Sequence, residues 1–139
     1  MTTRRQARRI AIDVLFQADV TDAVPSSVLT DWREAEHAVP PFSEELVEGV
    51  TEHEPEIDLM LAEHAEGWTV ARMAALDRTI MRVAVFELLH RPDVPSAVVV
   101  SEAVEAASEL SSEESKRFVN GILGRISREL EEEASGRER

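Results

Sequence analysis

The chain has 139 residues, 43% of them hydrophobic and 31% charged, which is enough apolar material for one domain with a core of its own. It contains no cysteine, so disulfides, thiolate chemistry and cysteine-bearing zinc sites are excluded. Fifteen basic residues against 28 acidic ones give a formal charge of −13, which by itself argues against a general polyanion binder.

The longest apolar stretch, Val94–Val100, is broken by Pro95 and Ser96 and falls far short of the roughly 20 residues that span a bilayer. No apolar segment with a small-residue cleavage site follows the first arginines, so no secretory signal is read and a cytoplasmic protein without membrane contact is expected.

Taken in chain order, the apolar residues recur at helical spacing. Ala7, Ile10, Ala11, Val14, Leu15 and Ala18 predict an amphipathic first helix that begins inside a cluster of arginines. Pro25 and Ser26 open a second helix through Val28, Leu29 and Trp32, and the Pro40-Pro41 pair ends that region. Ser43 is read as the cap of a third helix with Leu46, Val47 and Val50. Pro55 starts a fourth with Ile57, Met60 and Leu61, and Gly67 stops it.

Thr69 is read as the cap of a fifth helix, apolar on most sides from Val70 to Leu89, and hence the buried helix of the domain. Pro95 opens a sixth, with Val99, Val100, Ala103, Val104 and Ala107 inward and Glu102, Glu105 and Glu109 outward. Ser111 and Glu114 have capping-box spacing, and a last helix follows with Val119, Ile122, Leu123, Ile126 and Leu130 as its stripe. Gly121 and Gly124 within it predict a close backbone approach. The reading is therefore all-α, about seven helices, with a single domain over residues 1–133 and a flexible polar tail over 134–139.

Charge is unevenly distributed. Residues 1–9 hold Arg4, Arg5, Arg8 and Arg9 and no acid, whereas residues 31–66 hold twelve acids and one base, Arg33. The arginines fall at i, i+1, i+4 and i+5, which sets them in two adjacent ridges on a helix. Guanidinium binds phosphate through two parallel hydrogen bonds and stacks on bases, so the cluster is read either as a phosphate-binding corner on an anionic body or as a solubilised terminus. Cations at a helix N-terminus oppose the macrodipole, a placement that favours the first reading. In the last helix Phe118, next to Lys116 and Arg117, either stacks a base or closes the core. Phosphate loops, G-x-S-x-G elbows and H-E-x-x-H helices are absent from the sequence. His53 and His64 are read as exposed histidines among acids rather than ligands, so no catalytic residue, metal or cofactor is expected.

These residues also carry a resemblance. Arg4-Arg5-Gln6-Ala7-Arg8-Arg9 with the helix behind it, Leu76-Asp77-Arg78-Thr79-Ile80-Met81-Arg82-Val83 with Asp93-Val94-Pro95, Ser101-Glu102-Ala103-Val104-Glu105-Ala106-Ala107, and Ser115-Lys116-Arg117-Phe118-Val119-Asn120-Gly121-Ile122-Leu123 resemble, in order, the motifs of the transcription antitermination factor NusB family. Three positions depart from the family pattern: Gln6 stands where another cation is frequent, and Ser101 and Ser108 stand where Asn and Lys are common.

The resemblance implies two packed helical bundles and an RNA-binding adaptor. That adaptor holds the boxA element of nascent RNA together with NusE, a small-subunit ribosomal protein, and serves the RNA polymerase antitermination complex on ribosomal RNA operons. It also implies RNA contact by Arg4, Arg5 and Arg8 and by Lys116 and Phe118, and partner contact by Asp77; Arg9, in the same cluster, is read as RNA-binding with them. NusB relatives include monomers and homodimers. The competing readings are the RNA-binding part of a ribosomal RNA cytosine methyltransferase, whose catalytic domain and cysteine this chain does not supply, and a helical structural protein that binds no RNA.

Overall fold

A computed structural model describes residues 3–137. Seven α-helices and one 3-10 turn account for its regular structure: α1 (Arg4–Thr21), α2 (Pro25–Glu34), α3 (Pro41–Glu52), α4 (Glu54–His64), the turn Val70–Arg72, α5 (Ala75–His90), α6 (Ser96–Leu110) and α7 (Glu113–Arg137). The expected fold class is the observed one. The first bundle is α1–α3. The second is α4–α7, and α5 touches α1 and α3 on one flank and α4, α6 and α7 on the other.

That double role explains the composition of α5. Ile80, Met81, Val83, Ala84, Val85 and Phe86 are all buried, because a helix between two bundles has no wet face along its middle. The stripe of α7 is similarly complete, with Val119, Ile122, Leu123 and Ile126 at most 1% exposed. Fully burying a side chain of this kind contributes about 1.5–3 kcal/mol. No helix among the described residues is long and apolar enough to cross a membrane.

The helix starts depart from the sequence reading in instructive ways. Ser43 does not cap α3, which begins at Pro41 behind Pro40. It is fully buried instead, and its hydroxyl donates to the Ala7 carbonyl at 2.6 Å, tying α3 to α1. Thr69 precedes only the 3-10 turn, and α5 begins after Ala74. The cap of α7 is Ser112 rather than Ser111: its hydroxyl accepts from the Ser115 amide at 3.1 Å. At the start of α1, Thr3 and Gln6 form a reciprocal capping box, which gives Gln6 a structural reason to interrupt the basic run. Helix α7 continues through residues 134–137, where the sequence reading placed the tail; residues 138–139 lie outside the described part.

The glycines also redistribute. A Cβ on Gly121 or Gly124 would meet only the far ends of Arg125 and Arg128, at 3.7 and 3.4 Å, so neither marks the close approach expected there. Gly49 does. A Cβ on it would collide with the tip of the Phe86 ring, and it is this missing side chain that lets the ring end reach α3. Gly49→Ala is expected to cost about 1–3 kcal/mol by overpacking. Gly121→Ala or Gly124→Ala should instead raise stability by about 0.5–1 kcal/mol through helix propensity. Urea-denaturation midpoints of the three variants check this, and a Gly49→Ala protein as stable as its parent would disprove the contact.

Candidate nucleic-acid interface

The two ridges of arginine on α1 exist, and each meets a different environment. Arg5 and Arg9 face α6. The Arg5 guanidinium donates to Glu102 at 3.1 and 3.2 Å and also pairs with Glu105, and Arg9 Nη2 lies 3.0 Å from Glu109, too misaligned for a hydrogen bond. The Glu102–Glu105–Glu109 stripe that the sequence placed outward is thus the rim against which α1 settles. The bonds to Glu102 raise the Arg5 pKa above its ordinary value, so this side chain is charged at any working pH.

Arg4 and Arg8 flank Phe42 on the other side, with their Cζ atoms 4.7 and 5.5 Å from its ring centroid; Arg91 approaches the same ring at 5.1 Å. Arg4 stays half exposed, 3.7 Å from Asp93. Asp93 accepts hydrogen bonds from Arg91, which hold its carboxyl down at about 2. Arg8 is buried. Its guanidinium makes three hydrogen bonds of 2.8–3.1 Å to Glu87, and Glu87 is itself only 1% exposed.

Two expectations are corrected here. Arg8 is not a free RNA-contacting arginine, because it is buried and its Nε and Nη2 are committed to Glu87. Nor is the N-terminal corner an uncompensated cationic patch: five carboxylates (Glu87, Asp93, Glu102, Glu105 and Glu109) meet its four guanidiniums. The acids come from α5, α6 and the connection between them, some 80–100 residues away in sequence, so a local charge count cannot see them. What remains accessible is Arg4 and Arg5, with about half of each side chain exposed, and less of Arg9. Their ion pairs are of the exposed kind, worth about 0–1 kcal/mol each, so a phosphate can replace a carboxylate at little cost.

On α7 the two neighbouring candidates part. Lys116 is half exposed, 4.0 Å from Glu113, and lines a groove between α6 and α7 with Ser101, Glu105 and Asn120. Phe118, two residues and about 200° further round the helix, turns to Trp68, with ring centroids 5.6 Å apart in an edge-to-face arrangement. Trp68 is 51% exposed. The sequence reading passed over it, although an aromatic residue directly after the turn glycine Gly67 was the available signal.

Asp77 is 6% exposed and accepts a hydrogen bond from the Ser115 hydroxyl at 3.2 Å, while its Oδ1 has no partner. As a direct partner contact it is therefore corrected: its carboxylate lies at the junction of α5 with the start of α7, not on the surface. Burial, opposed by Ser115 and assisted by Glu114, pushes its pKa up. His64 is also unlike its expectation. Its side chain is 11% exposed, its Nδ1 bonds the Met60 carbonyl at 2.8 Å, and its Nε2 meets Glu129. Burial opposes its charge, but those two partners outweigh burial and raise its pKa.

Comparison with known proteins places this geometry. Residues 5–128 match the sequence model of the NusB family. The "Transcription antitermination protein NusB" of Saccharopolyspora erythraea is 50% identical over 132 residues, covering 91% of this chain and 87% of that one. The protein of the same name from Salinispora arenicola is 46% identical over 130 residues, covering 91% and 96%. Among solved structures, T. maritima NusB superposes with a TM-score of 0.82 at 32% identity, with 92% of each chain covered. A chain of "Antitermination Factors NusB and NusE in complex with dsRNA" gives 0.80 at 24% identity, with 90% and 96% covered, and shows the same fold.

Removing either partner of the Arg8–Glu87 pair strands a buried charge, so Arg8→Ala or Glu87→Ala should cost about 3–5 kcal/mol, and Arg8→Met with Glu87→Leu together much less. A double-mutant cycle by chemical denaturation measures both. For Asp77 the folded-state pKa lies above the unfolded one. Its contribution to stability is therefore complete below the ordinary Asp pKa of about 3.9 and is lost as pH rises through the raised value. Asp77→Asn should flatten the stability profile above pH 4, and an unchanged profile would contradict the assignment.

Proposed function

Because the chain belongs to the NusB family, we propose that it is an RNA-binding adaptor of transcription antitermination, with no catalytic role. It holds boxA-type nascent RNA jointly with NusE and so promotes processive transcription of ribosomal RNA operons within the RNA polymerase antitermination complex, in the cytoplasm. The observation that carries this reading is the family match running through both bundles, over residues 5–128.

The site geometry supports unequal shares. Arg4 and Arg5 carry the main phosphate contacts, since both are half exposed and held only by exchangeable surface pairs. Arg9 contributes less. Arg8 acts by fixing α1 on α5. Phe118, with Trp68 against it, offers apolar ring surface for a base, each such stack being worth about 1–3 kcal/mol, and Lys116 adds a cation on the far side of α7. For NusE, the contact surface is the neighbourhood of Asp77, where Glu114 is exposed, while Asp77 itself anchors the start of α7.

An arginine corner already surrounded by carboxylates binds RNA weakly alone. A basic partner that covers part of the acidic surface removes repulsion and raises RNA affinity. Arg4→Ala with Arg5→Ala should lower boxA affinity about tenfold and reduce the slope of log affinity against log salt by about 1.4, taking roughly 0.7 per phosphate contact on single-stranded RNA. Filter binding or anisotropy with and without NusE, across a salt series, provides the check. Unchanged affinity and slope in a variant of normal helicity would remove the arginines from the interface.

A further inference from the structure

His53, Glu56 and His90 come together from three places in the fold. His53 is the single residue between α3 and α4, Glu56 lies in the first turn of α4, and His90 ends α5. His90 Nε2 is 2.6 Å from Glu56 Oε1, and His53 Nδ1 is 3.8 Å from the same oxygen. All three potential donor atoms lie within 4.8 Å of one another. We propose that these three side chains form a site for a divalent transition-metal ion of the Zn²⁺ type, joining the α3–α4 junction to the end of α5.

The chemistry of the donor set fits. Two imidazoles and one carboxylate make a borderline nitrogen–oxygen set that suits Zn²⁺, Co²⁺ or Ni²⁺ better than Ca²⁺ or Mg²⁺, which take oxygen ligands. At metal–ligand distances of about 2.0–2.1 Å a tetrahedral ion holds its donors about 3.3 Å apart. The separations of 2.6 and 3.8 Å bracket that value, and turning the partly exposed rings out of their stack completes the geometry. Those rotations are available because the imidazoles, now stacked with centroids 4.0 Å apart and 25° between planes, are each about 30% exposed.

The surroundings support the same reading. With His53 binding through Nδ1, its Nε2 faces the Glu52 carboxylate 3.9 Å away, and a rotation of that exposed side chain makes it the outer partner that fixes the tautomer of a ligating histidine. An open depression beside the rings is lined by Glu44, Glu45, Glu48 and Glu52, which favours a cation and leaves room for water in the remaining coordination positions. Phe86 backs both rings, with centroids 6.0 Å from His53 and 5.4 Å from His90, and Gly49 admits Phe86 to that position. The sequence had grouped His53 with His64, but His64 is committed to Met60 and Glu129, and the second imidazole is that of His90.

The test uses tag-free full-length protein titrated with ZnCl₂ and CoCl₂. One equivalent of Zn²⁺ should bind saturably, raise the thermal midpoint, and shift the ring-proton NMR signals of His53 and His90 but not those of His37. Cobalt should give visible d–d absorption. His53→Ala and His90→Gln should each weaken binding about tenfold or more, and Glu52→Gln about tenfold. Absence of saturable binding overturns the site, as does undiminished affinity in both histidine variants, which would mean diffuse attraction to the acidic surface. Should a variant lose helicity, the NMR shifts of the unsubstituted protein decide, and signals moving only at His64 would refute the proposal.

Discussion

A guanidinium and a carboxylate buried together between two helices constrain this molecule more than any other contact. Arg8 and Glu87 are removed from water by the docking of α1 on α5, and each without the other is a charge in a medium that solvates it poorly. Their bonds have directions: the Nε and Nη2 donors must meet two oxygens at 2.8–3.1 Å. That requirement fixes the rotation and the height of α1 at once. A one-residue rotation of α1 toward Ala7 would leave the carboxylate unmatched, and the opposite one would substitute Arg9 only by drawing it away from Glu109. The apolar face of Ala7, Ala11, Val14, Leu15 and Ala18 supplies most of the attraction, but apolar contact is not directional and the ion pair selects one register.

Everything about the arginine surface follows from that register. With Arg8 turned inward, Arg5 and Arg9 are carried to the acidic rim of α6, and Arg4 to Phe42 and Asp93. The corner is therefore a lattice of alternating charge, anchored at its buried end and loosening toward solvent. Such a lattice holds guanidinium groups in place without any ligand, and its outermost pairs are weak enough to exchange. In a protein of formal charge −13 this arrangement limits indiscriminate association with nucleic acid, because each contact with a phosphate displaces a carboxylate that remains nearby.

The same logic of paired helices explains the local details that periodicity misplaced. Ser43 has the residue type of a cap, yet its hydroxyl serves a carbonyl of another helix. Ser111 and Ser112 are equally good caps by type; the chain uses the second, and the Ser111 hydroxyl bonds the Ser115 hydroxyl instead. Gly121 and Gly124 looked like points of close approach, but nothing packs tightly over them, whereas the unremarked Gly49 lies at the tip of an aromatic ring. For Ser43 and Gly49 the deciding atom belongs to a residue remote in sequence.

What the sequence determined by itself was the helical class, the number of helices, their apolar faces and the family motifs, because those depend on spacing within one segment and on residue type. It also marked Arg4, Arg5, Arg8 and Arg9 as a cluster and Phe118 as a residue at the margin of a stripe. Only the tertiary structure decided which arginine is buried, that Glu102, Glu105 and Glu109 close around the others, that Asp77 is enclosed, that Trp68 rather than Lys116 accompanies Phe118, and that His90 rather than His64 accompanies His53. The reason is electrostatic and geometric: the state of a charged or aromatic side chain is set by its neighbours in space, and here those neighbours arrive from other helices and connections.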